Sequence, residues 1–167
     1  MQTLFKLNRF FLPALGVVLM MTACVKEPDN VEEEIDTVVL TFNNGGPTVT
    51  WKDGTTTTPD FTLDANTTYT VSAEFKNEEN GEDVTTEIKA EDADHFICFE
   101  LSGGANLTIA ATDSDGTYPI GLASSWEAGD ASTGTLLMKL RHQPGVKDGT
   151  CAPGESDVEV DFNITIE

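Results

Sequence analysis

The end of this chain alternates apolar and polar residues with a period of two, and that pattern most narrows the fold. Val158, Val160, Phe162, Ile164 and Ile166 share one face, while Asp157, Glu159, Asp161, Asn163 and Thr165 share the other. Successive side chains of an extended strand point to opposite sides, so the segment predicts a β-strand with one buried and one wet face. Val38, Leu40 and Phe42 alternate in the same way with Thr37, Val39 and Thr41. So do Tyr69, Val71, Ala73 and Phe75 with Thr68, Thr70, Ser72 and Glu74. Further strands are expected over 48–52, 61–63, 95–101, 107–112, 118–124 and 133–142, and their threonine content suits a pleated surface.

Turn-forming sequences separate these segments: Asn43-Asn44-Gly45-Gly46, Asp53-Gly54, Asn80-Gly81, Ser102-Gly103-Gly104, Asp115-Gly116 and the stretch from Gly145 to Gly154. Strands this short at this spacing imply an all-β fold, an antiparallel two-sheet β-sandwich of immunoglobulin-like type. Only Asp83 to Asp92 lacks strand alternation, and it predicts one short helix ahead of the strand at His95. No internal repeat is evident.

The N-terminus has the layout of a secretory signal. Lys6 and Arg9 precede an apolar run from Phe10 to Met21, and Met21-Thr22-Ala23-Cys24 resembles a bacterial lipobox. That run is too short for a hydrocarbon core, which needs about 20 helical residues. The expectation is a signal peptide over 1–23, a lipidated Cys24 opening an acidic tether over 24–35, and one domain over 36–167. The tether resembles the acidic export tag of Bacteroidota surface lipoproteins, in which Lys26, Glu27 and Asp29 would mark transport to the outer face of the outer membrane. Asp36-Thr37-Val38 matches that phylum's O-glycosylation tripeptide, a weak signal that reads first as the start of a strand.

Removing residues 1–23 takes away two positive charges and no negative ones, so the formal charge moves from −20 to −22. This balance excludes nucleic acid, whose phosphates need cationic partners, and a flat anionic membrane surface. It leaves cations or basic partners as ligands. With Cys24 acylated, Cys98 and Cys151 remain, and outside the inner membrane such a pair is expected to form a disulfide.

The order Leu63-Asp64-Ala65-Asn66-Thr67-Thr68-Tyr69, Asp94-His95-Phe96, Ser132-Thr133-Gly134-Thr135-Leu136 and Leu140-Arg141-His142-Gln143-Pro144 resembles a small family of flavobacterial lipoproteins. Its members are often labelled "type 1 periplasmic binding fold" and are commonly encoded beside TonB-dependent outer-membrane receptors. The label implies two α/β lobes in a chain about twice as long, and the period-two strands here point to a sandwich instead. What the resemblance implies is a TonB-dependent receptor as partner.

Two histidines carry the main chemical interest. His95 opens a strand after Glu91 and Asp94, and His142 ends one on the same face as Leu136, Met138 and Leu140. They read either as strand-end residues bonded to backbone or as ligands of a transition metal, Zn²⁺ or Cu²⁺, with Glu91 or Asp94 completing the shell. The second reading requires both strand ends to meet at one edge. Asp113-Ser114-Asp115-Gly116 begins like a calcium loop but lacks its later ligands, and Trp51-Lys52-Asp53-Gly54 is equally curtailed; both read as hairpin turns. Trp51 and Trp126 read as a sugar-stacking pair, or as one core and one rim residue. No nucleophile elbow, zincin motif or phosphate loop is present, so no catalytic residues are assigned and the chain reads as a non-enzyme.

The expectation is therefore a lipid-anchored outer-membrane module facing the cell exterior, which binds a metal or small ligand in support of TonB-dependent uptake. The alternative is a structural or adhesive surface lipoprotein with no small ligand. A glycan-processing enzyme is a weaker third reading.

Overall fold

The computed structural model describes residues 34–167. The expected signal segment, Cys24 and the expected tether up to residue 33 lie outside the described residues. The strands are β1 (Thr37–Phe42), β2 (Thr48–Lys52), β3 (Asp60–Leu63), β4 (Thr68–Lys76), β5 (His95–Ser102), β6 (Leu107–Ala111), β7 (Ala123–Ala128), β8 (Ser132–His142) and β9 (Glu155–Ile166). One helix, α1 (Val84–Ala90), falls where strand alternation lapses.

Two sheets face each other in the expected sandwich, with orders β2-β1-β4-β7-β6 and β3-β9-β8-β5. Pairing is antiparallel except at one edge, where β3 runs parallel to β9. The alternating stripes meet between the layers: Val38, Leu40, Tyr69, Phe75, Leu136, Met138, Leu140, Val160 and Phe162 are buried. Ile35 packs partly against this core, so the domain reaches one residue into the expected tether.

Trp126 anchors the core. Its ring lies 5.0 Å from Phe42, 5.5 Å from Phe99 and 6.3 Å from Phe61, in edge-on or tilted arrangements. A buried indole N–H needs a partner, and Nε1 donates to Ser124 Oγ at 2.8 Å. Its strand was expected over 118–124 and lies instead over Ala123–Ala128. Ser124, Trp126 and Ala128 face inward there, and two of these three are too small or polar to register as an apolar stripe.

The preceding residues bridge the sheets instead of forming a strand. Asp113 accepts hydrogen bonds from the N–H groups of Gly121 and Ala123, and Ile97 N–H donates to Ile120 O. Gly121 sits at φ +97°, where a Cβ would lie 2.9 Å from the Ile97 side chain.

Two residues expected on wet faces are buried. Thr37 is 1 % exposed, beside a turn that Asp36 holds by accepting the N–H groups of Glu78 and Glu79. The folded domain therefore does not present this hydroxyl to a glycosyltransferase. Asp157 also faces inward. Leu140 pairs with Val158 and Arg141 with Ser156, so Asp157 is the extra residue of a β-bulge, and bulges re-aim side chains.

Cys98 and Cys151 form the expected disulfide, with Cα atoms 5.8 Å apart. It ties the β8–β9 loop to β5, where Cys98 is buried. Trp126→Ala should cost about 3–5 kcal/mol, as large aromatic truncations in packed cores do. Urea denaturation will measure it, and a loss under 1 kcal/mol would mean that the ring is not the centre of the core.

Candidate metal centre

The site is assembled where α1, β5 and β8 end together. Val84 and Ile88 turn one face of α1 into the core, and Thr85 Oγ1 both accepts from Phe75 N–H and donates to Phe75 O. The helix is thereby fixed on β4. It stops at Glu91, whose carbonyl receives the N–H of Asp94 as the chain turns into β5. Glu91 thus stands one turn before His95, and its carboxylate is exposed.

His95 and His142 are direct cross-strand partners, so the two strand ends do lie at one edge. Their rings are stacked, with centroids 4.8 Å apart and planes 7° from parallel. One ligand atom from each of Glu91, His95 and His142 falls within a mutual 4.8 Å. In a tetrahedral zinc site with bonds near 2.05 Å, donor atoms sit roughly 3.3 Å apart. Binding such an ion would require the group to close by about 1.5 Å.

Burial sets the electrostatics. His95 is 0 % exposed, and loss of hydration pushes its pKa below the ordinary histidine value. The Glu91 carbonyl acts against this, and neighbouring His142 adds to it. A neutral imidazole keeps a lone pair for a metal. His95 Nδ1 lies 3.1 Å from Glu91 O, while Nε2 has no hydrogen bond and faces Asp157 Oδ2 at 3.8 Å. His142 Nδ1 is likewise buried without a hydrogen-bond partner.

Of the four expected ligands, three converge and Asp94 does not. Its Oδ1 accepts the N–H of Gly145 at 3.3 Å, and its carbonyl accepts that of Gln143 at 2.6 Å. Asp94 is therefore a clasp for the β8–β9 loop. Asp157 has the opposite history. The alternation of β9 placed it in water, and only the bulge, which no local sequence signal announces, brings it beside His95.

The β8–β9 loop closes over the site's end of the sandwich. Gln143 is fully buried and donates from Nε2 to the carbonyls of Thr150 and Pro153. Arg141 donates to Ser156 Oγ and to the carbonyls of Pro153 and Gly154. Gly154, at φ +78°, lies against the His142 carbonyl, where a Cβ would come within 2.0 Å.

The curtailed calcium motifs are turns. Asp113 is engaged by backbone N–H groups, and Asp115 accepts those of Thr117 and Tyr118 at 2.7 Å together with Lys147 Nζ at 2.9 Å. Asp53 accepts the N–H of Gly54, and Lys52 pairs with Glu78. The two tryptophans form no common platform, because Trp126 is fully buried and Trp51 is partly buried against the core. A groove of about 750 Å³ lies away from the histidines, between α1 and the 77–83 turn. It carries no buried unpartnered polar atom.

Compared with known proteins, the chain matches no family model, no curated protein and no solved structure.

Asp115 supplies a pH test of the loop clasp. The Tyr118 N–H, then Lys147 and the Thr117 N–H, hold its carboxyl down to about 2. A depressed carboxylate pKa stabilises the fold fully above the unfolded value near 3.8, and the gain disappears as pH falls through the folded value. Wild type should therefore exceed Asp115→Asn in urea midpoint at pH 5, and the gap should narrow by pH 2.5. A gap independent of pH would show that the carboxylate's charge does not hold the loop.

Proposed function

We propose that the mature chain is a lipid-anchored outer-membrane β-sandwich, facing the cell exterior, that binds a transition-metal ion at Glu91, His95 and His142 and assists TonB-dependent uptake. The observation that carries the binding role is the meeting of these three donors where three elements end. Two imidazoles and a carboxylate suit borderline ions such as Zn²⁺ and Cu²⁺ rather than Ca²⁺ or Mg²⁺, which favour all-oxygen shells. The exposed carboxylate of Glu91 gives an ion a way in from water, and the strongly acidic chain raises the local cation concentration.

Placement rests on the sequence: the lipobox-like Cys24, the acidic tether and the resemblance to lipoproteins encoded beside TonB-dependent receptors. No catalytic machinery is assigned, so the reading is one of capture rather than turnover.

The second reading, a structural or adhesive surface lipoprotein without a small ligand, is favoured by the stacked imidazoles. Two buried, parallel rings 4.8 Å apart also serve as plain packing at the end of a core. Calorimetry separates the two. The mature protein bearing Cys24→Ser should bind Zn²⁺ or Cu²⁺ at one ion per chain, and His142→Ala should weaken that at least tenfold. No heat of binding from either ion would leave the structural reading standing. Affinity capture from native outer membrane should also bring down a β-barrel receptor; capture of the lipoprotein alone would remove the uptake role.

A further inference from the structure

We infer that Asp157 is a positioning residue for this metal centre: its carboxylate accepts a hydrogen bond from the Nε2–H of His95 and so leaves the Nδ1 lone pair to bind the ion. The inference rests on the proposed metal-binding role and specifies how it is built. The two ring nitrogens of His95 face different surroundings. Nδ1 lies on the side of Glu91, 3.1 Å from its carbonyl, and Nε2 points at Asp157 Oδ2, 3.8 Å away, with both side chains 0 % exposed. Glu91 is also the third member of the donor group, and Nδ1 is the ring nitrogen that lies against its backbone, so we place the ion on the Nδ1 side.

A histidine that binds a metal through one nitrogen generally donates the other N–H to a carboxylate or carbonyl, which fixes the tautomer and raises the basicity of the donor atom. Here two acceptors compete for one proton. With the proton on Nδ1, the Glu91 carbonyl takes it and the imidazole presents no lone pair to the ion. With the proton on Nε2, that N–H donates to Asp157 and the Nδ1 lone pair is available to the ion. Ion binding therefore transfers the proton between the ring nitrogens with no net loss, exchanging the bond to Glu91 O for one to Asp157. Closing 3.8 Å to a charge-assisted N–H···O distance takes a shift of about 1 Å.

The fold supplies this carboxylate by a dedicated device. In regular alternation Asp157 would stand on the wet face of β9, opposite in direction to Val158. The bulge across from Leu140 and Arg141 turns it inward, and Arg141 fastens the bulged strand through Ser156 Oγ. The bulge thereby sets a carboxylate beside the one ring nitrogen of His95 that the Glu91 carbonyl does not face.

The test uses the mature protein with Cys24→Ser, with Zn²⁺ as the probe. Long-range ¹H–¹⁵N spectra of the wild type titrated with Zn²⁺ should show His95 protonated at Nε2 and coordinated through Nδ1. Asp157→Asn keeps the shape but removes the negative charge, so the Nε2–H tautomer loses its charge-assisted acceptor. It should bind Zn²⁺ about 10–100-fold more weakly, with an unchanged far-ultraviolet spectrum. Coordination through Nε2, or Asp157→Asn affinity within twofold of wild type, would overturn the inference while leaving the metal-binding role intact. No Zn²⁺ binding by the wild type would overturn both. Should Asp157→Asn fail to fold, the wild-type spectra alone decide.

Discussion

The register of β8 is the constraint on which the rest depends. This strand lies between β5 and β9, and each pairing fixes something different. Against β5 it sets His142 opposite His95; against β9 it carries the shift at Leu140 and Arg141 that turns Asp157 inward. A slip of one residue would send Leu136, Met138 and Leu140 to solvent together with His142, so burial of the core enforces the geometry of the site. The same apolar stripe that makes the sandwich thus holds two imidazoles side by side at its end.

Cations are scarce in this chain, and two of those described, Arg141 and Lys147, fasten the loop after β8. Lys147 is nearly buried, bonding Asp115 Oδ2 and the carbonyl of Asp92, and so ties the end of α1 to the 113–118 turn and the β8–β9 loop. Arg141 binds the returning end of that loop, and the disulfide from Cys98 to Cys151 holds its middle. These clamps converge around the end of the sandwich where Glu91, His95 and His142 meet. A site there gains rigidity from contacts that touch no ligand.

Much of the architecture was legible because burying one face of a strand leaves a direct mark on sequence. Val158 to Ile166 and Tyr69 to Phe75 announced their strands, and the lapse of alternation after Asp83 announced α1. The mark fails where small or polar residues face inward, as Ser124 and Ala128 do beside Trp126. It fails again where one residue is inserted, as at Asp157. The histidine pair was legible as types at strand ends, but their meeting depends on long-range pairing that no local pattern encodes. Asp94 read as a ligand because of its spacing from His95, whereas the turn after α1 gives its carboxylate to Gly145.

The central claim is that one ion sits among Glu91, His95 and His142. Crystals of the mature protein grown with Zn²⁺, measured on either side of the zinc absorption edge, test this most directly. The account requires a single strong anomalous peak about 2.1 Å from nitrogens of both imidazoles and bonded to the Glu91 carboxylate. Rings still stacked at their present spacing, with zinc scattered over surface carboxylates or absent, would contradict it.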